Sequence, residues 1–258
     1  KHGSCGMGIW ETVYRYDNSF CPYTLSEFNN LPYENKVNYL HHIRDVYLPG
    51  RLKSLGVKDI PSEWKDIISS QGLISHFIQD VAFMCKVCSI VNKTILNSFD
   101  NVIFENGQGL LLDENNTFYG DNTTPSSTGI RNSIPYINSL HNPTNVEFCY
   151  VTRTYMTRHG RGRFETECKK ELINPQMVDE TNGYNPFQEN LRYGELYIEG
   201  LNQRIENDML NALALKCDYQ HSVAVTHTNE YQIDYSAIRN KLIYTSDNKT
   251  NDSVVLLK

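Results

Sequence analysis

A short buried strand followed at once by a glycine turn is predicted at Asp100-Asn101-Val102-Ile103-Phe104-Glu105-Asn106-Gly107-Gln108-Gly109. Further apolar runs predict strands at residues 146–151, 223–225 and 242–244. Apolar residues at helical spacing predict helices at residues 34–48, 73–99, 206–216 and 235–241. Because strands and helices alternate, we predict an α/β fold with a mostly parallel sheet flanked by helices.

The chain has 258 residues, which is enough for one large domain or two small ones. It contains no internal repeat and no linker rich in Pro, Gly or Ser. We therefore predict a single domain over residues 1–258, with no internal boundary. Pro49-Gly50 is predicted to end the first long helix, because proline lacks the N–H that a helix needs.

Overall charge and composition exclude several classes of protein. With 24 Lys+Arg against 30 Asp+Glu, the net charge of −6 argues against binding to nucleic acid or an anionic membrane. The basic segment at residues 153–163 could bind RNA, but Glu165 and Glu167 follow directly, so no nucleic-acid partner is predicted. No apolar window is long enough to span a membrane.

Seven scattered cysteines do not resemble the disulfide framework of a secreted protein, so we predict a cytoplasmic protein. Cys85 and Cys88 form a Cys-x-x-Cys pair, but no second pair completes a zinc site. Both lie in an apolar helical pattern, and we interpret them as buried helix cysteines. No metal site is predicted from the sequence.

Ligands of parallel α/β sheets bind at the loops that follow the strands. Such loops are predicted at residues 106–109, 153–163, 226–229 and 245–250. Gln108 offers both an amide donor and a carbonyl acceptor, which suits a purine edge or a ribose hydroxyl. A turn residue bonded to its own backbone is an equally good interpretation.

A second glycine-rich segment, Gly3-Ser4-Cys5-Gly6-Met7-Gly8, begins the chain. Glycines allow the backbone to approach a phosphate, and successive amides and hydroxyls donate hydrogen bonds to it. The segment could therefore hold a phosphate, although glycine-rich turns commonly serve geometry alone.

Three motifs together resemble the adenylosuccinate synthetase family. Residues 104–113, followed by Thr123-Thr124-Pro125-Ser126-Ser127-Thr128-Gly129, are similar to its glycine-flanked glutamine motif and the polar segment after it. Residues 154–167 look like its Tyr-x-Thr-Arg-x-Gly-x-Gly-Pro-Phe-x-Thr-Glu motif, with Arg163 in place of the proline. Residues 3–9 are similar to its Gly-Thr-Thr-x-x-Gly-Ile loop.

The resemblance implies a P-loop-NTPase-like fold and a ligase of purine biosynthesis. This family joins aspartate to inosine monophosphate, using a nucleoside triphosphate and Mg²⁺, and acts as a homodimer. The resemblance further implies that the purine nucleoside monophosphate would contact a set of five residues. They are Ser4, Cys5, Gln108, Thr123 and, as a substitute for an arginine that crosses the dimer interface, Arg15.

Departures from the family pattern affect both other substrates. The amino-acid loop retains Gln188 and Arg192 as carboxylate contacts, but Glu189 stands where the family has cations, so another amine could replace aspartate. The triphosphate base is expected at His227, Asn229, Thr245 and Ser246. Asn229 replaces a guanine-reading carboxylate, which leaves GTP and ATP both open.

The family's catalytic aspartate and histidine belong to an amino-terminal segment that this sequence does not contain. The catalytic residues are therefore expected upstream of Lys1, in the same chain or in a separate amino-terminal segment, and this chain alone is expected to be catalytically incomplete. A non-catalytic purine-nucleotide-binding paralogue or fragment is the alternative function.

Overall fold

The computed structural model describes residues 8–18, 23–177, 182–184 and 186–257. Contacts divide the chain into two compact units, of which one is Ile9–Asn92 and the other comprises the rest. The sequence predicts a single domain over residues 1–258, and this division into two contact units does not test that prediction. No helix among the described residues is long and apolar enough to cross a membrane.

The unit Ile9–Asn92 is helical. Its described α-helices are α1 (Ile9–Asp17), α2 (Leu25–Asn30), α3 (Tyr33–His42), α4 (Leu48–Ser54), α5 (Ser62–Ser69) and α6 (Gln71–Val87). Thr24 caps α2 by accepting the backbone N–H of Glu27, whose side chain in turn accepts the backbone N–H of Thr24. The core of this unit is formed by Phe28 of α2 with Ile74, Ile78 and Val81 of α6.

The chain remains helical through Pro49, so the prediction that Pro49-Gly50 ends the helix is wrong. A five-residue π-turn, Ile43–Tyr47, joins α3 to α4, and the N–H of Leu48 donates to the carbonyl of Ile43. Because a π-turn widens the helix by one residue, it accommodates a ring that would clash in a regular α-helical turn.

The long helix predicted over residues 73–99 is shorter in the structure. α6 ends at Val87, and a 3₁₀ segment follows at Lys93–Ser98. Cys88 therefore lies just beyond the helix and is exposed, whereas Cys85 packs partly against the core. The interpretation of both as buried helix cysteines is wrong for Cys88.

The second unit contains a four-stranded, mostly parallel sheet, which confirms the predicted fold class. Its strands are β1 (Val146–Arg153), β5 (Tyr219–Thr226), β6 (Ile243–Ser246) and β7 (Val254–Leu256), in the order β1-β5-β6-β7. β1, β5 and β6 are parallel, and only β7 runs antiparallel at the edge. In register, Arg153 lies opposite Thr226, and Thr226 lies opposite Ser246. The carboxyl ends of three strands thus meet at one edge.

A smaller antiparallel sheet packs near this edge. It has the order β2-β4-β3, with β2 (Tyr155–Arg158), β3 (Glu167–Cys168) and β4 (Arg192–Glu195). The remaining described α-helices are α7 (Ile134–Ile137), α8 (Lys170–Ile173) and α9 (Ile198–Met209). Leu201 and Ile205 of α9 pack on Val223, Val225 and Ile243 of the larger sheet.

Several predicted elements change in the structure. Residues 100–104 form no strand, and Ile103 is 91% exposed, because no described strand edge pairs with this segment. An apolar run becomes a strand only where a partner satisfies its backbone. The helix predicted at residues 206–216 begins earlier, at Ile198, and ends at Met209, where a 3₁₀ turn follows. The helix predicted at residues 235–241 is only a short 3₁₀ turn, Tyr235–Ala237.

Candidate functional site

The glutamine turn and the threonine-rich segment lie side by side. The N–H of Thr124 donates to the carbonyl of Leu112 at 2.7 Å, and the N–H of Glu114 donates to that of Ser126 at 3.1 Å. The side-chain amide of Asn106 donates to the carbonyl of Gly129 at 2.7 Å. The structure therefore brings together the two segments that carry Gln108 and Thr123.

Asp113 fixes the end of the glutamine turn. Its carboxylate accepts the backbone N–H of Thr128 at 2.8 Å and that of Asn115 at 2.9 Å. Burial opposes ionisation of this carboxyl, but the hydrogen bonds outweigh burial and lower its pKa. The hydroxyl of Thr128 also donates to the carbonyl of Gly109 at 3.1 Å, which closes the turn around Gln108.

Gln108 itself has a left-handed backbone conformation, with φ of 71°, and its side chain is exposed. It makes no hydrogen bond to any other residue that the structure describes, so the alternative of a turn residue bonded to its own backbone is not observed. Thr123 is half-buried, and its hydroxyl lies 3.4 Å from the carbonyl of Gly120. The exposed amide of Gln108, which lies on a turn with a left-handed backbone, is therefore accessible to a ligand.

Asp208 of α9 holds the end of the threonine-rich segment by a hydrogen bond. It accepts the N–H of Ile130 at 3.0 Å and the hydroxyl of Tyr150 at 2.8 Å. Burial, reinforced by the Asp208 carboxylate, raises the pKa of Tyr150. Sequence reasoning missed Asp208, and the only local signal was Gly129, which allows the backbone to approach α9.

Arg158, at the end of β2, is 9% exposed and joins the threonine-rich segment to the next loop. Its Nη2 donates to the carbonyls of Asn122 at 3.3 Å and Arg161 at 3.1 Å. Its guanidinium also lies over the ring of Tyr119. Burial, together with the charge of Arg192, lowers the pKa of Arg158. Its Nε is buried without a partner among the described residues.

Arg192, predicted to bind a substrate carboxylate, is engaged within the protein. It forms a bidentate pair with Glu167, at 2.8 and 2.5 Å, and its Nη1 donates to the carbonyls of Gly160 and Gly162. Gln188 is half-buried, and its backbone carbonyl accepts the N–H of Gly160 at 3.1 Å. The two residues therefore meet at the same loop, although a substrate would have to displace Glu167 to reach Arg192 through its fork.

The loops after β5 and β6 lie together at the carboxyl edge of the sheet. The N–H of Thr228 donates to the carbonyl of Ser246 at 3.3 Å. His227 has a φ of 61°, its carbonyl accepts the hydroxyl of buried Thr154 at 2.9 Å, and its Nδ1 lies 2.9 Å from the hydroxyl of Thr226. The structure thus places the loops that carry His227 and Ser246 side by side.

The two other residues predicted for the triphosphate base belong to the same loops. Asn229 is exposed in the β5 loop, and the hydroxyl of Thr245 lies 3.5 Å from the carbonyl of Val255. Tyr155 of β2 contacts the ring of His227 and donates to Glu230 at 2.7 Å. β2 therefore contacts the His227 loop through Tyr155 and the Thr123 segment through Arg158.

The remaining predicted contacts cannot be assigned to either group of loops. Ser4 and Cys5 lie outside the described residues. Arg15 is half-buried in α1 of the helical unit, and its side chain makes no hydrogen bond or ion pair with another described residue. Among the described residues no group of three or more His, Cys, Asp or Glu could hold a metal ion. The expected Mg²⁺ therefore has no protein cage of its own in this part of the chain.

The family model for adenylosuccinate synthetase matches residues 52–236, more than half of the chain. The chain belongs to the adenylosuccinate synthetase family. The match includes the Gln108 turn, Thr123, β2, Arg192 and the His227 loop, whereas the glycine-rich start, Arg15 and the Ser246 loop lie outside it. This membership confirms the resemblance that the motifs indicate.

Among solved structures, the chain is similar to fully ligated adenylosuccinate synthetase from Plasmodium falciparum, with a TM-score of 0.54 and 16% identity. The similarity covers 87% of this chain and 47% of that one, so the chain spans about half the length of the enzyme it resembles. At this identity the similarity shows a shared fold. No curated protein matches the sequence.

Proposed function

We propose that this chain is the nucleotide-binding part of a C–N ligase that joins an amino acid to the 6-position of a purine nucleoside monophosphate. A nucleoside triphosphate would transfer its γ-phosphoryl group to the purine 6-oxygen and leave as the diphosphate. The amine would then attack C6, lose a proton, and displace inorganic phosphate. The first step turns a poor oxygen leaving group into a good one, so positioning and charge stabilisation carry the rate.

The observation that carries this proposal is the pairing of the Gln108 turn with the Thr123 segment. Two backbone hydrogen bonds, from Thr124 and Glu114, and the Asp113–Thr128 contacts hold the two segments in one arrangement. An amide on one segment and a hydroxyl on the other suit a purine nucleotide, whose base and phosphate need different partners. Ser4, Cys5 and Arg15 complete the proposed monophosphate site.

The triphosphate base would bind at the carboxyl edge of the sheet. The register of β1, β5 and β6 supports this role for His227, Asn229, Thr245 and Ser246, because ligands of such sheets bind beyond the strand ends. Asn229 has one carbonyl acceptor where a carboxylate has two oxygens, so we expect ATP to compete with GTP.

The amine donor would be bound near the Gly160 loop by Gln188 and Arg192. The pairing of Arg192 with Glu167 supports an amine other than aspartate, because a dicarboxylate needs cations that are not already neutralised. Homodimer formation, a cytoplasmic location and the presence of an amino-terminal catalytic segment also remain part of the proposal.

Mg²⁺ is proposed on family membership alone. Mg²⁺ usually binds nucleotide phosphates with one or two protein carboxylates and several waters, so it needs no dedicated cage. The described residues contain no cluster of three or more His, Cys, Asp or Glu that could hold the ion without the nucleotide.

An activity screen of the intact protein, with the proposed amino-terminal catalytic segment, tests the ligase. Purine monophosphates are combined with amino acids and either GTP or ATP, and released phosphate is measured, with reactions lacking the amine as controls. We expect phosphate release that depends on one monophosphate and one amine. Release without any such dependence would contradict the ligase.

A second candidate is a non-catalytic purine-nucleotide-binding paralogue or fragment, because the pairing of the Gln108 turn with the Thr123 segment would support nucleotide binding with or without turnover. Calorimetric titration with inosine monophosphate distinguishes the two functions when it is combined with the screen. Binding without turnover would favour the non-catalytic paralogue or fragment, and failure of every purine monophosphate to bind would contradict both.

A further inference from the structure

Two buried or half-buried arginines, which both interact with Tyr119, form no ion pair with a carboxylate among the described residues. Arg158 and Arg204 form no ion pair within the part of the chain that the structure describes, and the Arg204 side chain forms no hydrogen bond there either. The Glu165 carboxylate, which pairs with Arg163, acts on Arg204 only through its charge. Their neighbours differ: Arg161, Arg163 and Arg192 pair with Glu189, Glu165 and Glu167, respectively. A cation taken out of water is costly unless an anion or several acceptors compensate for the loss.

Glycines make room for both guanidinium groups. A β-carbon at Gly200 would lie 2.9 Å from Nη1 of Arg204, so the arginine folds back along α9 over a residue without a side chain. A β-carbon at Gly162 would likewise lie 2.9 Å from Nη2 of Arg158, and Gly162 has a φ of 107°. Each guanidinium therefore occupies space that a side chain at Gly200 or Gly162 would fill.

Arg204 lies on the side of α9 that contacts the threonine-rich segment. It precedes Asp208 by one helical turn, so the two share a face, and Asp208 accepts the N–H of Ile130. The charges of Glu165 and Arg204 both act on Tyr119, whose ring lies beneath the guanidinium of Arg158. Arg158 in turn donates to the carbonyl of Asn122, the residue before Thr123.

We propose that Arg158 and Arg204, which both interact with Tyr119, form an anion subsite beside Thr123 that takes the phosphate group of the bound nucleotide. This inference rests on the proposed function and adds two residues from this chain's own β2 and α9 to the monophosphate site. A phosphate monoester carries about −1.5 to −2 charges at pH 7, which matches two guanidinium groups. Its oxygens also accept the forked hydrogen bonds that arginine offers.

The subsite makes a prediction that differs from the role suggested for Arg15. Arginines of the same unit as Thr123 would bind the phosphate without a partner subunit. Part of the affinity for a monophosphate would then persist at protein concentrations too low for dimerisation.

Calorimetric titration of the full 258-residue chain tests the subsite with three probes: inosine, inosine monophosphate and inorganic phosphate. We expect the monophosphate to bind at least tenfold more tightly than inosine, and Arg204→Gln to remove most of this preference without changing the affinity for inosine. Arg204→Lys should retain part of the preference, because it keeps the charge and loses only the fork.

Arg239→Gln is the matched control. Arg239 also contacts α9, but it is half-exposed and pairs with Glu199 and Glu206. Its loss removes the same charge and should leave the monophosphate preference unchanged. Thermal melting of each variant verifies folding, and if Arg204→Gln does not fold, Arg204→Lys and the wild-type preference decide the question.

Three outcomes would overturn the inference. An Arg204→Gln variant that keeps the wild-type preference for the monophosphate would remove Arg204 from the subsite while leaving the proposed function intact. Inorganic phosphate that binds as tightly as the monophosphate would assign the subsite to the released product instead. Failure of the wild-type chain to bind both inosine and its monophosphate would overturn the proposed function itself.

Discussion

The backbone of Gly129 lies directly against the carboxylate of Asp208: a β-carbon built on Gly129 would be 2.0 Å from Oδ1. The N–H of the next residue, Ile130, donates to the same carboxylate at 3.0 Å. The close approach and the hydrogen bond depend on each other, because a side chain at position 129 would push the segment away from α9.

Gly129→Ala should therefore destabilise the protein by about 1–3 kcal/mol, the usual cost of inserting a methyl group into a packed site. Urea denaturation measures the free energy of unfolding. Gly183→Ala is the control, because a β-carbon there would meet nothing within 4 Å. Equal stability of the two variants would contradict the close approach.

Tyr150 should make stability depend on high pH. Its pKa is raised in the folded state by burial and by Asp208, so the folded protein holds this proton more tightly than the unfolded chain does. The stabilisation is complete below the unfolded pKa of about 10 and is lost as the pH rises above it. Tyr150→Phe should show a smaller fall in unfolding free energy between pH 9 and 11, both values being about one unit from that pKa. An unchanged fall would exclude Tyr150 as its source.

Arg192 should contribute more to stability than its neighbour Arg161. Arg192→Ala removes a bidentate pair and two donors to loop carbonyls, and we expect a loss of about 1–3 kcal/mol. The exposed pair of Arg161 with Glu189 predicts at most about 1 kcal/mol for Arg161→Ala. Thermal unfolding of both variants measures the difference. A larger loss of stability for Arg161→Ala than for Arg192→Ala would contradict the stabilising role of the Arg192 hydrogen bonds to Gly160 and Gly162.

Gln108→Ala should weaken binding of a purine monophosphate by about 1–3 kcal/mol, because a buried ligand would lose its amide partner. Stability should hardly change, since the side chain is exposed and bonds to no other described residue. Titration calorimetry and thermal melting measure the two effects separately. Unchanged affinity would remove Gln108 from the site.

Asn229→Asp should shift the triphosphate preference towards GTP, because a carboxylate accepts hydrogen bonds from both donors of the guanine edge. Competition between GTP and ATP for the wild-type chain and the variant measures the shift. Thr228→Asn in the same loop is the control for a nonspecific change. A wild-type chain that already strongly prefers GTP would contradict the argument from Asn229.

Much of the arrangement around Gln108 could be predicted from the sequence because its determinants are local. Gln108 and Thr123 are fifteen residues apart, and polar turn residues between them bring the two segments together. The parallel direction of β1, β5 and β6 could also be predicted, because apolar runs with intervening helices imply parallel strands.

Contacts between distant residues could not be predicted in this way. Asp208 meets Ile130 across 78 positions, and nothing in a helical pattern names the partner of one polar residue. Arg192 looked like a ligand contact, but a sequence cannot tell a free guanidinium from one that already holds Glu167. Residues 100–104 looked like a strand, because an apolar run does not reveal whether a strand edge exists to receive it.

The short strand β2 connects two of the candidate ligand loops. Its four residues, about 10 Å from end to end, contact His227 through Tyr155 and Asn122 through Arg158. Because both contacts come from one short strand that is paired with β4, the distance between the two loops is set by the length of β2.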